Sequence, residues 1–193
     1  MSEKKFKHKL YVKKFMDVSF TPETLEKVKS IISNYPEGKQ KSALIPVLHI
    51  AQEELGGHLN VDIMDYVAEL LNITPIEVYE VATFYSQFYI DPVGKYVIEV
   101  CQTGPCAICG GDEIIEYLQE KLGIKVGETT ADGLFSLKAV ECLGACGSAP
   151  VMQVNTEFYE FLNIQKIDEI IADLSSKSEI KKPEALTWKE RLS

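Results

Sequence analysis

Two closely spaced pairs of cysteines constrain this chain more than any other feature of its sequence. Four residues separate Cys101 from Cys106, three separate Cys142 from Cys146, and 35 residues lie between the two pairs. A strand-like run precedes each pair, at residues 95–100 and 134–140. Each pair is therefore expected where a strand ends in a turn.

Glycines in both turns allow the main chain to approach the sulfur atoms; they are Gly104, Gly144 and Gly147. Four thiolates in such a setting are typical of the ligands of one 2Fe–2S cluster. Two ferric ions, two sulfides and four thiolates carry about two negative charges. Backbone N–H groups aimed at sulfur would offset that charge, as would the positive end of a helix beginning just after Cys106. We interpret the four cysteines as the ligands of one such cluster.

The fifth cysteine, Cys109, leaves other assignments open. Cys101, Cys106 and Cys109 have the C-x4-C-x2-C spacing of plant-type ferredoxins, which would leave one of Cys142 and Cys146 unused. Cys106 and Cys109 form a C-x-x-C motif between a strand and a helix, as in thioredoxin-like thiol–disulfide oxidoreductases. A structural zinc site with four cysteine ligands also fits the spacing. The two-pair assignment leaves out only Cys109, which is predicted at the start of a helix over about 109–122.

The motifs around the cysteines resemble those of one protein family. They are C-x4-C, the segment 141–147 (Glu-Cys-Leu-Gly-Ala-Cys-Gly) followed by Ala-Pro-Val at 149–151, and the segment 81–88 (Val-Ala-Thr-Phe-Tyr-Ser-Gln-Phe). Over about residues 20–174 the chain resembles the small 2Fe–2S subunit of NADH:quinone oxidoreductase, a thioredoxin-like ferredoxin. The resemblance implies one 2Fe–2S cluster held by Cys101, Cys106, Cys142 and Cys146, with no catalytic residue on this chain.

The same resemblance implies a role in electron transfer. The cluster would exchange single electrons with FMN on a partner flavoprotein subunit that binds FMN and NADH, and other peripheral-arm subunits would be further partners. Equivalent subunits of NAD-linked hydrogenases and formate dehydrogenases are the alternative hosts. The expected location is the cytoplasmic face of the inner membrane, reached through the complex, or the matrix side in an organelle.

Composition excludes several other classes of protein. A net charge of −9 argues against nucleic acid as a partner, because phosphate binding requires a basic surface. No apolar run approaches the roughly 20 residues of a membrane span, so no direct membrane insertion is expected. Five cysteines without a recognisable secretory signal indicate reduced thiols or metal ligands in a cytoplasmic protein.

The rest of the sequence predicts an α+β chain in two domains. Helix-capping signals and apolar stripes predict a small helical bundle over residues 20–91. Beyond the turn that begins at Asp91, the order strand, helix, strand, strand, strand, helix predicts a thioredoxin-like 2Fe–2S ferredoxin domain over 92–175. Residues 1–19, with six lysines between positions 4 and 14, are expected to be a mobile basic tail, and 176–193 a polar tail that contains Trp188.

Three smaller expectations concern single residues. The peptide bond between Ala149 and Pro150 is predicted to be cis, because thioredoxin folds carry a cis-proline before the closing hairpin. The aromatic residues of the fourth helix and its end are expected in the core and in inter-domain packing; they are Tyr79, Phe84, Tyr85, Phe88 and Tyr89. The histidines are expected to have surface or packing roles; they are His8, His49 and His58.

Overall fold

A computed structural model describes residues 18–177 of the chain. The two predicted tails, with His8 and Trp188, lie almost entirely outside the described residues. The chain divides into two compact units after Ile90. Within residues 18–177, no helix is long and apolar enough to cross a membrane.

The first unit is helical, as the sequence predicted. Its α-helices are α1 (Pro22–Ser33), α2 (Leu44–Glu54), α3 (Val61–Leu71) and α4 (Pro75–Phe84), and a 3-10 turn over Gln40–Ala43 leads into α2. Capping side chains fix where the helices begin. The Thr21 side chain accepts a hydrogen bond from the Thr24 N–H at the start of α1, and Asn60 does the same for the Ile63 N–H in α3.

The core of the first unit is mainly aliphatic, with Phe20 and Phe88 as its buried aromatic residues. Its fully buried members include Val28, Leu48, Val67 and Val78. Among the five aromatic residues expected in the core, Phe88 is 5% exposed, but Phe84 is 78% and Tyr85 is 40% exposed, so the core prediction was wrong for those two. Helix α4 buries Val78 and Ala82, and Phe84, two residues beyond Ala82, lies off that face, while the backbone becomes extended at Tyr85.

The histidines that the structure describes have packing roles, as expected. His58 is buried, and its Nδ1 lies 3.1 Å from the carbonyl oxygen of Gly56. The His49 ring packs against Phe88, with 5.0 Å between ring centroids. Both lie in the first unit, while every cysteine lies in the second.

Over residues 91–177, the second unit is a four-stranded sheet with three α-helices. Its strands are β1 (Tyr96–Cys101), β2 (Phe135–Val140), β3 (Met152–Val154) and β4 (Glu157–Tyr159), in the spatial order β2-β1-β3-β4. Strand β1 pairs in parallel with β2 and antiparallel with β3, and β3 pairs antiparallel with β4. The helices are α5 (Gly104–Ile108), α6 (Gly111–Leu122) and α7 (Ile164–Ser176). The α+β fold prediction and the closing hairpin are confirmed.

Helices α6 and α7 pack on one face of this sheet. Ile98 and Val100 of β1 share an apolar core with Leu118 of α6 and Ile167 of α7. Side chains alternate along a strand, so Val97, Glu99 and Cys101 lie on the opposite face of β1. All three are buried.

One boundary differs from the prediction. A helix over about 109–122 was expected, but the chain forms the short helix α5, breaks, and begins α6 at Gly111. Gly110 has φ of 97°, a left-handed conformation that glycine adopts readily and that ends α5. Cys106 therefore lies within α5 rather than before a helix, and Cys109 lies at the C-terminal end of α5.

Candidate functional site

The first pair of cysteines lies at the end of β1. Cys101 is the last residue of the strand, and its N–H donates to the carbonyl of Val151 at 3.1 Å. The next N–H, that of Gln102, donates to the carbonyl of Val140 at 3.0 Å. These bonds place the end of β1 between the segments that lead into and out of the second pair.

Cys106 is fixed by close packing of the main chain around α5. Its N–H donates to the carbonyl of Thr103 at 3.0 Å. A Cβ atom at Gly111 would lie 2.8 Å from the carbonyl oxygen of Cys106 and 3.0 Å from that of Cys101. Only glycine allows this approach, which joins the start of α6 to the backbone of both cysteines. Cys101 and Cys106 are each 2% exposed.

The second pair lies in the turn after β2. Gly144, with φ of 78°, turns its N–H toward the sulfur of Cys142 at 3.3 Å. Cys146 begins a 3-10 turn that ends at Ser148. The Ser148 hydroxyl donates to the Glu160 carboxylate at 2.6 Å, and the Phe161 N–H donates to the Ser148 carbonyl at 2.7 Å. Cys142 and Cys146 are exposed.

A cis peptide bond joins Ala149 to Pro150, as predicted from the sequence. The bond follows the second cysteine turn and leads directly into Val151. The carbonyl of Pro150 accepts the N–H of Leu162 at 3.0 Å.

Main-chain donors connect the two cysteine turns. Burial alone would raise the pKa of the Cys101 thiol, but hydrogen bonds from Thr103, through both its backbone and its side chain, and from the Leu143 N–H outweigh it and lower that pKa. Leu143 belongs to the second turn, and its side chain packs against the cluster that Cys101 and Cys106 form with Val151. The two turns therefore converge, which is the geometry that a shared cofactor requires.

The thiols interact most closely within the two pairs. Burial raises the pKa of Cys106, with further contributions from a hydrogen bond to Cys101 and from the negative charges of Cys101 and Cys146, although the Val151 N–H acts in the opposite direction. A hydrogen bond to Cys142 raises the pKa of Cys146, and the negative charge of Cys101 raises it further. Cys109 is exposed.

The donor set is compatible with a 2Fe–2S cluster. In a 2Fe–2S cluster each iron takes only two protein ligands, and the donors here lie in two such pairs with N–H groups facing sulfur.

The sequence model of the family described as thioredoxin-like [2Fe-2S] ferredoxin matches residues 28–175. The chain belongs to this family. The cofactor of the family is a [2Fe–2S] cluster, which confirms the cofactor predicted from the cysteine pairs.

Relatives of this ferredoxin include components of respiratory enzymes. It is 45% identical over 153 residues to a subunit of the NADH-quinone oxidoreductase of Rickettsia typhi, covering 79% of this chain and 90% of the relative. It is 46% identical over 155 residues to the mitochondrial NADH dehydrogenase [ubiquinone] flavoprotein 2 of Dictyostelium discoideum, covering 78% of this chain and 63% of that protein. The resemblance to NADH:quinone oxidoreductase subunits is thereby confirmed.

The fold also recurs inside a larger protein. A crystal structure of NAD+-reducing [NiFe]-hydrogenase in the H2-reduced state matches 72% of this ferredoxin with a TM-score of 0.62 and 21% identity. The match covers 23% of the hydrogenase chain. At that level of identity the similarity concerns the fold.

Sequence reasoning missed four residues that shape the site: Thr103, Gly111, Leu143 and Val151. Three of them act on sulfur mainly through backbone N–H groups, which leave no signature in side-chain chemistry. Gly111 did have a signal, because paired glycines between a cysteine and an apolar helix indicate a close main-chain approach.

Proposed function

We propose that this ferredoxin is the electron-transfer subunit of an NADH:quinone oxidoreductase and that Cys101, Cys106, Cys142 and Cys146 hold its single 2Fe–2S cluster. When bound, the cluster takes up and releases one electron at a time. The partner would be a flavoprotein subunit whose FMN accepts hydride from NADH. This chain therefore needs no catalytic residue of its own.

The observation that carries the ligand assignment is the packing of Leu143 and Ala145, from the turn of the second pair, against Cys101 and Cys106. It brings the turn of the second pair next to the thiols of the first. The Gly144 N–H, 3.3 Å from the sulfur of Cys142, supplies part of the partial positive charge that a dianionic group needs. Such a donor orients the thiolate and favours its deprotonated form.

The burial of the site suits a carrier that works at an interface. Cys101 and Cys106 pack with Val151 in a small buried cluster, while Cys142 and Cys146 are exposed to solvent. The buried side excludes water, and the open side allows a redox partner to come close. We infer that the flavoprotein subunit docks over the exposed pair, with the complex on the cytoplasmic or matrix side of the membrane.

A hydrogenase or formate dehydrogenase remains the alternative host. The similarity in fold to the NAD+-reducing [NiFe]-hydrogenase supports it, but only at 21% identity. The relative from the NADH-quinone oxidoreductase of Rickettsia typhi has a sequence identity of 45%, and the match covers 90% of its length. Affinity purification of the native complex, followed by identification of the bound flavoprotein, separates these hosts.

Serine substitutions test the ligand set. Cys142→Ser should remove or destabilise the cluster, because a serine oxygen is a poor replacement for thiolate, whereas Cys109→Ser should leave it in place. The measurements are visible absorption and iron and sulfide content of anaerobically purified protein. Bleaching by Cys109→Ser would contradict the assignment and favour the plant-type set.

The same preparation distinguishes the other classes of function. Reddish-brown protein with equal iron and sulfide supports an electron carrier. Colourless protein that reduces disulfides through Cys106 and Cys109 would instead indicate a thiol–disulfide oxidoreductase. Colourless protein with one zinc per chain would indicate a structural zinc module.

A further inference from the structure

A buried carboxylate lies on the same face of β1 as Cys101. Glu99 is two residues before that cysteine, so their Cα atoms are about 7 Å apart along the strand. Glu99 is only 8% exposed. Acidic side chains are rarely buried to this extent unless a partner offsets the charge.

The partner is supplied by the neighbouring strand. Lys138 of β2 lies directly opposite Glu99 in the parallel register, and Gln153 of β3 lies opposite it on the other side. Lys138 is half-buried; burial lowers the pKa of its ammonium group, and the charge of Glu99 acts against that shift. The carboxylate and the ammonium group thus form a cross-strand pair on the face that carries Cys101.

From this placement we infer that Glu99 and Lys138 are positioning residues that set the reduction potential of the cluster. The inference rests on the proposed function, because it requires a cluster at Cys101. Reduction adds a negative charge, which a nearby carboxylate opposes and a nearby ammonium group favours. Burial matters because solvent screens exposed charges strongly but buried ones much less.

The pair has an exposed counterpart for comparison. Glu141 is directly before Cys142, so it is nearer in sequence to a proposed ligand than Glu99 is, but it is exposed to solvent. Glu160, which accepts the Ser148 hydroxyl, is also exposed. Water and salt should reduce the effect of these two charges on the cluster, whereas the effect of Glu99 and Lys138 should persist.

The test is a redox titration of the purified full chain, followed by electron paramagnetic resonance of the reduced cluster. Glu99→Gln should shift the midpoint potential upward and Lys138→Met should shift it downward. Each should change the ratio of reduced to oxidised protein at a fixed potential by about tenfold, because the charges lie several ångströms from Cys101 and are at least partly shielded from solvent. The double variant should lie near the wild type, and Lys138→Arg should retain the wild-type value.

Glu141→Gln is the matched control, because it also removes one negative charge beside a proposed ligand. Its shift should be smaller than that of Glu99→Gln, and added salt should diminish it further. The inference is overturned if Glu99→Gln shifts the potential no more than Glu141→Gln, or if the two members of the pair shift it in the same direction. Loss of the cluster in Glu99→Gln, Lys138→Met and Lys138→Arg alike would also overturn it, since the pair would then be structural.

Failure of the proposed function has a different signature. A wild-type chain without iron–sulfur absorption after anaerobic purification overturns the proposed function and this inference together. If the wild-type chain holds the cluster but neither substitution shifts its midpoint potential, only the inference is overturned.

Discussion

Gly111 shows how little space the chain leaves around the buried thiols. The backbone of both Cys101 and Cys106 lies against its α-carbon. Main-chain atoms cannot rotate away from an added methyl group as a flexible side chain can. The residue therefore couples the start of α6 to the geometry of the first cysteine pair.

Gly111→Ala should lower the stability of the second unit by about 1–3 kcal/mol, the usual cost of overpacking a tight site. The cluster should also be lost at a lower temperature. Thermal unfolding of anaerobic protein, followed by far-ultraviolet circular dichroism and by visible absorption, measures both effects. Gly147→Ala is the control, since a Cβ there would meet nothing within 4 Å. Equal effects of the two substitutions would show that close packing at Gly111 is not the cause.

At the scale of elements, the starts of α1, α3 and α4 were predictable and the break between α5 and α6 was not. Thr21, Asn60 and Thr74 each cap the helix that follows, because an N-cap acts within three residues of its own position. The break at Gly110 depends on the packing of Gly111 against the end of β1, which is a contact between segments distant in sequence. The convergence of the two turns likewise depends on backbone bonds between distant segments, such as that from the Gln102 N–H to the Val140 carbonyl, which no spacing of cysteines reveals.

The capping box of α4 gives a pH-dependent prediction. The backbone N–H of Thr74, together with the ammonium group of Lys41, lowers the pKa of Glu77 from 4.5 to about 2. A carboxyl group whose pKa is lowered by folding stabilises the folded state above its unfolded pKa and loses that effect as pH falls toward the folded value. Glutamine can still cap the helix, so Glu77→Gln removes the charge alone.

We therefore expect Glu77→Gln to lower the unfolding temperature of the helical unit at pH 7. The difference from wild type should stay constant down to about pH 4.5 and should shrink between there and pH 2. Circular dichroism at 222 nm on both proteins across this range measures the difference. Glu80→Gln changes an exposed glutamate on the same helix and serves as the control. A difference that grows as pH falls would contradict the assigned role of Glu77.

On the scale of the whole molecule, the two units have separate hydrophobic cores. One core is formed by α1 to α4, and the other by α6, α7 and the sheet. Every cysteine and every N–H donor to sulfur identified above belongs to the second unit. The division after Ile90 and the residues of the site together imply that the cluster does not require the helical unit.

A fragment of residues 91–177 should therefore fold and hold a 2Fe–2S cluster with the absorption spectrum of the full chain. The fragment 18–90 should be helical and colourless. Iron and sulfide analysis and circular dichroism of the two separately purified fragments provide the measurement. A colourless or unfolded 91–177 fragment would show that the helical unit is needed to complete the site.

The unequal exposure of the two thiol pairs also predicts the order in which the cysteines bind iron and sulfide during cluster assembly. With the proposed ligand set, incoming iron and sulfide should meet Cys142 and Cys146 first, because these are the two exposed members of the set, and should reach Cys101 and Cys106 afterwards. A partner subunit bound over Cys142 and Cys146 would block access of iron and sulfide to the site. Loading of the ferredoxin should thus come before its incorporation into a larger complex.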